Sequence, residues 1–301
     1  MSNIKNITLL AYDIENEDLS PNYSDLFDNL KQKLGQGEIA DNRRMKLNSE
    51  STEEDLLSDF AVAQNYIYGV MWRIAPSKEI PRIPDGLFKN PKIQINDIRS
   101  NDEKFLLTCK EHYYFAVNKK FLITSLPKTR IKSLQVYLNW LLEAYRGEKR
   151  YNFISKIKTP ENTKLSEIKY IVFKSSNEEK EEKADDILSL VLTRLRKIIA
   201  EDTDLSEILE NRVFKAKLQL DISKPRKMDD ANYKKLLGTY MNPISDTDGI
   251  SYKLENGKTI SGTNILQSKT VCIEMIDDGK ISEQNLIQEM QLYLNELNNL
   301  P

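Results

Sequence analysis

The sequence predicts an α+β fold with two domains, in which mainly antiparallel sheets carry helices on one face. The chain has 301 residues, and at roughly 150 residues per domain this length favours two domains, at 1–160 and 161–301. Apolar, β-prone segments alternate with segments whose apolar residues recur every three or four positions. In the N-terminal half their order is strand, helix, strand, hairpin, helix and strand, which suits helices packed on an antiparallel sheet.

The N-terminal elements follow from local changes in composition. The short apolar segment Asn6–Glu15 predicts a buried strand. An apolar stripe in Tyr23–Leu34 predicts a helix that ends at Gly35. The polar segment Glu38–Asp55 predicts a mobile loop, and Ala61–Pro76 predicts one long strand. The next segment, KEIPRIPDGLFKNPKI, contains three prolines and predicts an irregular arm across the surface.

A hairpin and a helix are predicted in the middle of the chain. Two β-prone segments, Phe105–Val117 and Phe121–Ser125, are separated by the tip sequence NKK, where Asn118 suits a tight turn. Thr129 is the predicted N-cap of the helix that follows. Apolar residues then recur every three or four positions until Gly147, which predicts the end of the helix.

The remaining strands and helices are predicted from the same signals. Strands are predicted at Tyr151–Lys158, Glu167–Ser176, Val213–Ile222 and Lys269–Asp277. The clearest helical pattern of the chain covers Ala184–Glu201. A last helix begins at the predicted N-cap Ser282.

Composition restricts the classes of function. The chain carries 44 Lys and Arg against 46 Asp and Glu, so its near-neutral net charge of −2 produces no global field toward nucleic acid or membranes. No apolar run reaches the roughly 20 residues of a membrane helix, and the first residues do not resemble a signal peptide. We therefore expect a cytoplasmic protein without membrane insertion. Cys109 and Cys272 are expected to be reduced, buried thiols.

The sequence contains no recognised catalytic signature. His112 is the only histidine, so it has no second histidine with which to bind a metal. Cys109 precedes it by three residues in a strand, a spacing that predicts side chains on opposite faces and hence no Cys–His pair. The Gly-rich nucleotide-binding motifs and the G-x-S-x-G motif of hydrolases are also absent. We therefore expect binding rather than catalysis, and assign no catalytic residue, cofactor or metal.

One enzymatic alternative remains open. Metal-dependent nucleases need two or three carboxylates and a lysine, and Glu207, Glu210, Lys215 and Lys217 imitate that pattern. The same residues are also typical of a helix end followed by a strand with one solvated face, and this interpretation is favoured.

Local basic clusters are the candidate binding sites. Cations at a hairpin tip and at a helix start do not stabilise the helix dipole, which favours them at the opposite end, so contact with phosphates would explain them. The alternative is a solvated rim. The candidate nucleic-acid contacts are Lys119, Lys120, Lys128, Arg130 and Lys132 in the N-terminal half, and Lys215, Lys217, Lys224, Arg226 and Lys227 in the C-terminal half.

The order of these segments resembles a known family. The segment NITLLAYDIE leads into YSDLFDNLKQKL, and the hairpin HYYFAVNKKFLIT follows. A lysine-bearing strand comes later, and the last helix is GKISEQNLIQEMQLYLNELN. This order resembles the phage-exclusion proteins of the Rex type and related abortive-infection proteins. The resemblance implies a two-domain cytoplasmic protein of anti-phage defence that binds nucleic acid, DNA above all. It also implies self-association into an oligomer and an effector protein as partner. A third possibility is a subunit of a larger complex that recognises a protein through the proline-rich arm.

Overall fold

The structure is a computed structural model that describes residues 4–16, 26–47, 52–76, 83–94, 105–148, 150–159, 167–174, 217–221, 224, 227–241, 250–276 and 280–300. These residues form helices and antiparallel sheets, which confirms the predicted α+β class. Among them, no helix has the length and apolar character needed to cross a membrane. The helix predicted at Ala184–Glu201 lies outside the described residues.

Fourteen strands and six α-helices are defined in this part of the chain. The strands are β1 Ile4–Asn16, β2 Arg44–Lys46, β3 Glu54–Val62, β4 Ile67–Pro76, β5 Ile83–Pro84, β6 Phe105–Val117, β7 Phe121–Thr124, β8 Tyr151–Ser155, β9 Ile168–Lys174, β10 Lys217–Asp221, β11 Ile250–Leu254, β12 Thr259–Ser261, β13 Ser268–Ile276 and β14 Lys280–Ile281. The helices are α1 Leu26–Leu34, α2 Ile131–Leu141, α3 Glu143–Arg146, α4 Asp230–Met241, α5 Gly262–Ile265 and α6 Glu283–Asn298.

The chain divides into two compact units. Residues 1–153 and 268–301 form the first unit, and residues 154–267 form the second. This division differs from the single boundary at residue 160 that the sequence predicts. The last segment returns to the first unit because β13 pairs with β1, from Ile4 opposite Glu274 to Leu10 opposite Ser268.

The first unit is built on one ten-stranded sheet. Its strand order is β14-β13-β1-β7-β6-β4-β3-β2, with β5 paired to β6 and β8 paired to β1. The segment predicted as a mobile loop, Glu38–Asp55, contains the 3₁₀ helix Ala40–Arg43, strand β2 and the start of β3. The single long strand predicted at Ala61–Pro76 is also wrong, because a turn at residues 63–66 separates β3 from β4.

Helices cover both faces of this sheet. On one face, α1 and α2 pack against residues such as Met71, Tyr113 and Phe115. On the other, α6 packs against Trp72 and Tyr114. The predicted packing on one face is therefore wrong for the first unit. Successive residues of β4 and β6 are buried on both faces of the sheet, so helices must pack on both faces to shield them from water.

The second unit contains a four-stranded sheet with the order β10-β9-β11-β12. Its strand pairs are antiparallel. Helix α4 contributes Tyr233 and Leu237 to a core that also contains Ile171 and Tyr252. Each unit thus has a hydrophobic core of its own.

Candidate nucleic-acid interface

The predicted hairpin is present, and its tip is held by Asn118. Strands β6 and β7 pair in antiparallel register, with Val117 opposite Leu122. The side-chain Oδ1 of Asn118 accepts hydrogen bonds from the backbone N–H groups of Lys120, at 2.8 Å, and Phe121, at 2.7 Å. Asparagine favours turns because its side chain can bond the backbone in this way. The tip residues Lys119 and Lys120 are exposed on a fixed turn.

Lys119 forms a surface ion pair with helix α1. Its Nζ lies 3.2 Å from Oδ2 of Asp28, and the two side chains are 64% and 44% exposed. An ion pair this exposed contributes little stability and is screened by salt, so a phosphate can compete with the carboxylate for Lys119.

Lys128 is buried, in contrast to the prediction of an exposed phosphate contact. Its side chain is 7% exposed, and the described part of the chain gives its Nζ no hydrogen-bond partner. Desolvation by burial lowers the pKa of this amine to about 7. Lys128 cannot contact a phosphate while it is buried in this way.

Arg130 belongs to a network of alternating charges at the start of α2. It forms an ion pair with Glu111 of β6. Glu111 lies opposite Arg73 in β4, and Arg73 donates to both carboxylate oxygens of the buried Asp55, at 2.8 and 3.0 Å. Burial, and then repulsion from Arg73, lower the pKa of Arg130. The network neutralises Arg130 internally and leaves Lys132 as the exposed cation of this group.

The start of α2 differs from the prediction. The 3₁₀ turn Lys128–Arg130 precedes the helix. The N-cap of α2 is therefore Arg130 rather than Thr129, and the Arg130 side chain makes no capping hydrogen bond. The helical segment nevertheless ends where predicted, because Gly147 follows α3 with a φ of +64°. In the last helix, Ser282 is the N-cap as predicted, and its side chain accepts from the backbone N–H of Asn285.

The candidate cations of the second unit are only partly described. Lys215 and Arg226 lie outside the described residues. Lys217 begins β10 opposite Lys174, Lys224 forms an ion pair with Asp230, and Lys227 is exposed.

A concave pocket lies beside the hairpin tip in the first unit. Its volume is about 450 Å³, within the range of small-molecule sites. Its walls come from the β3–β4 turn, the β6–β7 turn and the C-terminal half of α6. The lining residues are Ala63, Gln64, Asn65, Tyr66, Asn118, Gln291, Leu294, Asn295 and Asn298. Six of these nine side chains are carboxamides and none is charged, so the pocket suits an uncharged group rich in hydrogen-bonding atoms.

Sequence reasoning missed this pocket, although a signal was present. On α6, Gln284, Gln288, Gln291, Asn295 and Asn298 recur at alternating intervals of four and three, and all five are exposed. That spacing places carboxamides in one stripe along the helix. The remaining wall residues come from two turns far away in sequence, so only the fold reveals the concavity.

His112 and Cys109 lie on the same face of the sheet, which corrects the prediction of opposite faces. A β-bulge at Lys110 shifts the register, so that His112 faces Trp72 and Cys109 faces Ile74. Burial raises the pKa of the Cys109 thiol to about 11, so the thiolate needed of a nucleophile is disfavoured. Desolvation, and then Lys5, lower the pKa of His112, whose ring contacts Tyr114 edge-on.

The residues behind the two alternative functions lie partly outside the described part of the chain. Within that part, no group of three His, Cys, Asp or Glu side chains is placed to hold a metal ion. Glu207 and Glu210 of the nuclease hypothesis lie outside that part of the chain. The described part of the arm predicted for protein recognition, residues 83–93, packs on the core of the first unit, where Phe88 and Ile93 are buried.

Comparison with known proteins gives no family for this chain. No protein-family model matches it, and no curated protein is significantly similar to it. Its function must therefore be argued from the geometry of its own residues.

Proposed function

We propose that this protein binds nucleic acid through the hairpin tip of its first unit. The observation that carries the proposal is the pair of exposed lysines, Lys119 and Lys120, on a fixed turn that also forms a wall of the polar pocket. Lysines with exposed amines are suited to phosphate contacts, which supply most of the affinity for a nucleic-acid backbone.

The proposed surface is smaller than the one expected from the sequence. Lys128 is excluded by burial, and Arg130 is occupied by Glu111. With the chain near neutrality, binding depends on local cations and is expected to be moderate and sensitive to salt. Such binding suits a sensor or adaptor that signals to an effector protein.

The first experiment is a titration of a labelled oligonucleotide at several salt concentrations. In the double variant K119E/K120E, affinity should fall, and the slope of log affinity against log salt should become shallower by about 2, because two phosphate contacts are lost. The control is K46E/K89E, which changes the net charge equally at two other exposed lysines of the first unit. Equal affinity and slope in wild type and K119E/K120E would exclude the hairpin tip.

A variant that strengthens binding provides the complementary test. Asp28 competes with phosphate for Lys119. Asp28→Asn removes this competitor, and should therefore raise affinity a few fold at low salt, with a smaller gain at high salt. An unchanged or lower affinity would mean that phosphates do not use Lys119.

We further propose that this binding serves anti-phage defence, the role that the resemblance to phage-exclusion proteins implies. Its test is the plating efficiency of phages on cells that carry the wild-type gene or the K119E/K120E variant. Protection by the wild type that is lost in the variant at equal protein level supports this role, whereas equal plating on cells with and without the wild-type gene contradicts it.

A further inference from the structure

The carboxamide pocket carries an inference about the kind of nucleic acid that is bound, and it rests on the proposed function. The pocket and the tip lysines share one turn. Asn118 lines the pocket, and Lys120 is two residues further along the chain, a span of at most about 7 Å. A ligand whose phosphate contacts Lys120 therefore approaches the turn that forms this wall of the pocket.

The lining of the pocket determines which chemical group can enter it. The side chains of Gln64, Asn65, Gln291 and Asn295 are exposed and form no hydrogen bond within the described part of the chain, so their donors and acceptors are available to a ligand. Each carboxamide offers two donors and one acceptor. Asparagine and glutamine use this pattern to bind the edges of nucleobases, adenine in particular, through paired hydrogen bonds.

Two further residues favour a planar group with apolar faces. Tyr66 lines the pocket and is held in place by packing on the core, and unpaired bases stack on such aromatic rings. Leu294 is a buried core residue that also lines the pocket, which gives the carboxamide wall an apolar part. A nucleobase combines apolar faces with hydrogen-bonding edges, whereas a phosphate would find no cation in the lining.

We propose that the pocket holds one unpaired base of a single-stranded nucleic acid whose backbone contacts Lys119 and Lys120. A base within a duplex is stacked and has its pairing edge occupied, so it cannot enter a pocket without being flipped out. The protein therefore distinguishes single strands from duplexes through this pocket, while the lysines bind the backbone of either.

The test compares labelled oligonucleotides that differ only in their bases. Fluorescence anisotropy is measured with a single strand, with a strand of the same length that contains abasic positions, and with the corresponding duplex, all at one salt concentration. Wild type should bind the single strand at least tenfold more tightly than the abasic strand or the duplex. Q291L/N295L should reduce affinity for the single strand about tenfold without changing the salt slope, since no charge is altered.

The matched control is Q284L/Q288L, on the same helix and in the same exposed stripe but outside the pocket. It should bind all three probes as wild type does, and near-ultraviolet circular dichroism should show that both double variants are folded. Equal binding of wild type to the intact and abasic strands, or unchanged binding by folded Q291L/N295L, overturns the inference about the pocket.

The outcomes also separate this inference from the proposed function. If K119E/K120E weakens binding but the pocket variant does not, nucleic-acid binding at the tip stands and the pocket has no role. If wild type binds none of the probes at low salt, both proposals are wrong.

Discussion

Lys128 shows how far a single residue can depart from what its type suggests. The sequence places it among exposed cations, but its amine is buried without a hydrogen-bond partner in the described structure. Burial disfavours the charged form and lowers the pKa to about 7, whereas the unfolded chain keeps the ordinary pKa of about 10.5. Between these two pH values the unfolded state binds more protons at this group than the folded state does. The free energy of unfolding therefore increases as pH rises from 7 to about 10.5.

Replacing Lys128 by methionine should therefore stabilise the protein in a pH-dependent way. Lys128→Met keeps most of the side-chain volume and removes the cost of burying the amine. The gain in the free energy of unfolding should be largest at pH 7 and below, and should shrink as pH approaches 10.5. Urea titrations across this range measure it. Lys132→Met is the control, since Lys132 is exposed and its replacement should change stability little at any pH.

Buried charges explain why the prediction of a mobile loop at Glu38–Asp55 is wrong. Arg43 is 2% exposed and donates to the backbone carbonyls of Glu38, Leu57 and Pro91. Asp55 is fully buried beside Arg73. A polar segment predicts solvent exposure only when its charges have no internal partners. These partners lie up to 48 residues away in sequence, so no local pattern could identify them.

Among the elements, α2 connects the helical layer to the sheet on one face. The hydroxyl of Tyr137 accepts a hydrogen bond from the N–H of Leu57 and donates to the carbonyl of Arg43, at 2.9 and 2.7 Å. Leu134, Leu138 and their neighbours on the stripe are buried, as the periodicity predicts. Mispacking of α2 should therefore weaken the whole first unit.

Leu138→Ala tests this contribution. The side chain is completely buried, so its truncation should leave a cavity and cost about 2 to 5 kcal/mol of unfolding free energy. Val136→Ala is the matched control, an apolar truncation on the same helix at a side chain that is 53% exposed. Chemical denaturation of both variants gives the comparison, and equal losses would mean that α2 does not pack on the sheet as described.

Elements with local signals were predicted well, and elements defined by distant partners were not. The β6–β7 hairpin and the cap at Ser282 were predicted because Asn118 and Ser282 bond to backbone only three residues away. The β3–β4 turn was missed, because Gln64 and Asn65 interrupt an apolar segment without glycine or proline. The pocket was missed for the same reason, since this turn forms one of its walls.

At the scale of the whole molecule, the sequence of the second unit interrupts the sequence of the first, between residues 153 and 268. The chain enters and leaves it through paired backbone segments: Ile157 pairs with Leu266, Lys158 N–H donates to Ile265 O and Gln267 N–H donates to Lys156 O, both at 2.8 Å. Sequence patterns showed the strand and helix of the final segment, but not that β13 pairs with β1. Pairing between strands at opposite ends of a chain depends on tertiary packing, and no local sequence pattern predicts it.

This arrangement predicts that the second unit can be removed without unfolding the first. The two paired segments form a ready-made hairpin stem, so residues 159–264 can be replaced by an Asn-Gly turn between Lys158 and Ile265. The shortened protein should unfold cooperatively and keep the nucleic-acid affinity proposed for the first unit, because its sheet and both helical layers are complete.

The contrasting variant is the same shortened protein ended at Gln267, so that it lacks β13, β14 and α6. It removes a strand paired with β1 and uncovers the face that contains Trp72 and Tyr114, so it should not fold. Thermal unfolding followed by circular dichroism compares the two proteins. A cooperative transition in the truncated chain, or its absence in the shortened one, would show that the final segment is not an integral part of the first unit's core.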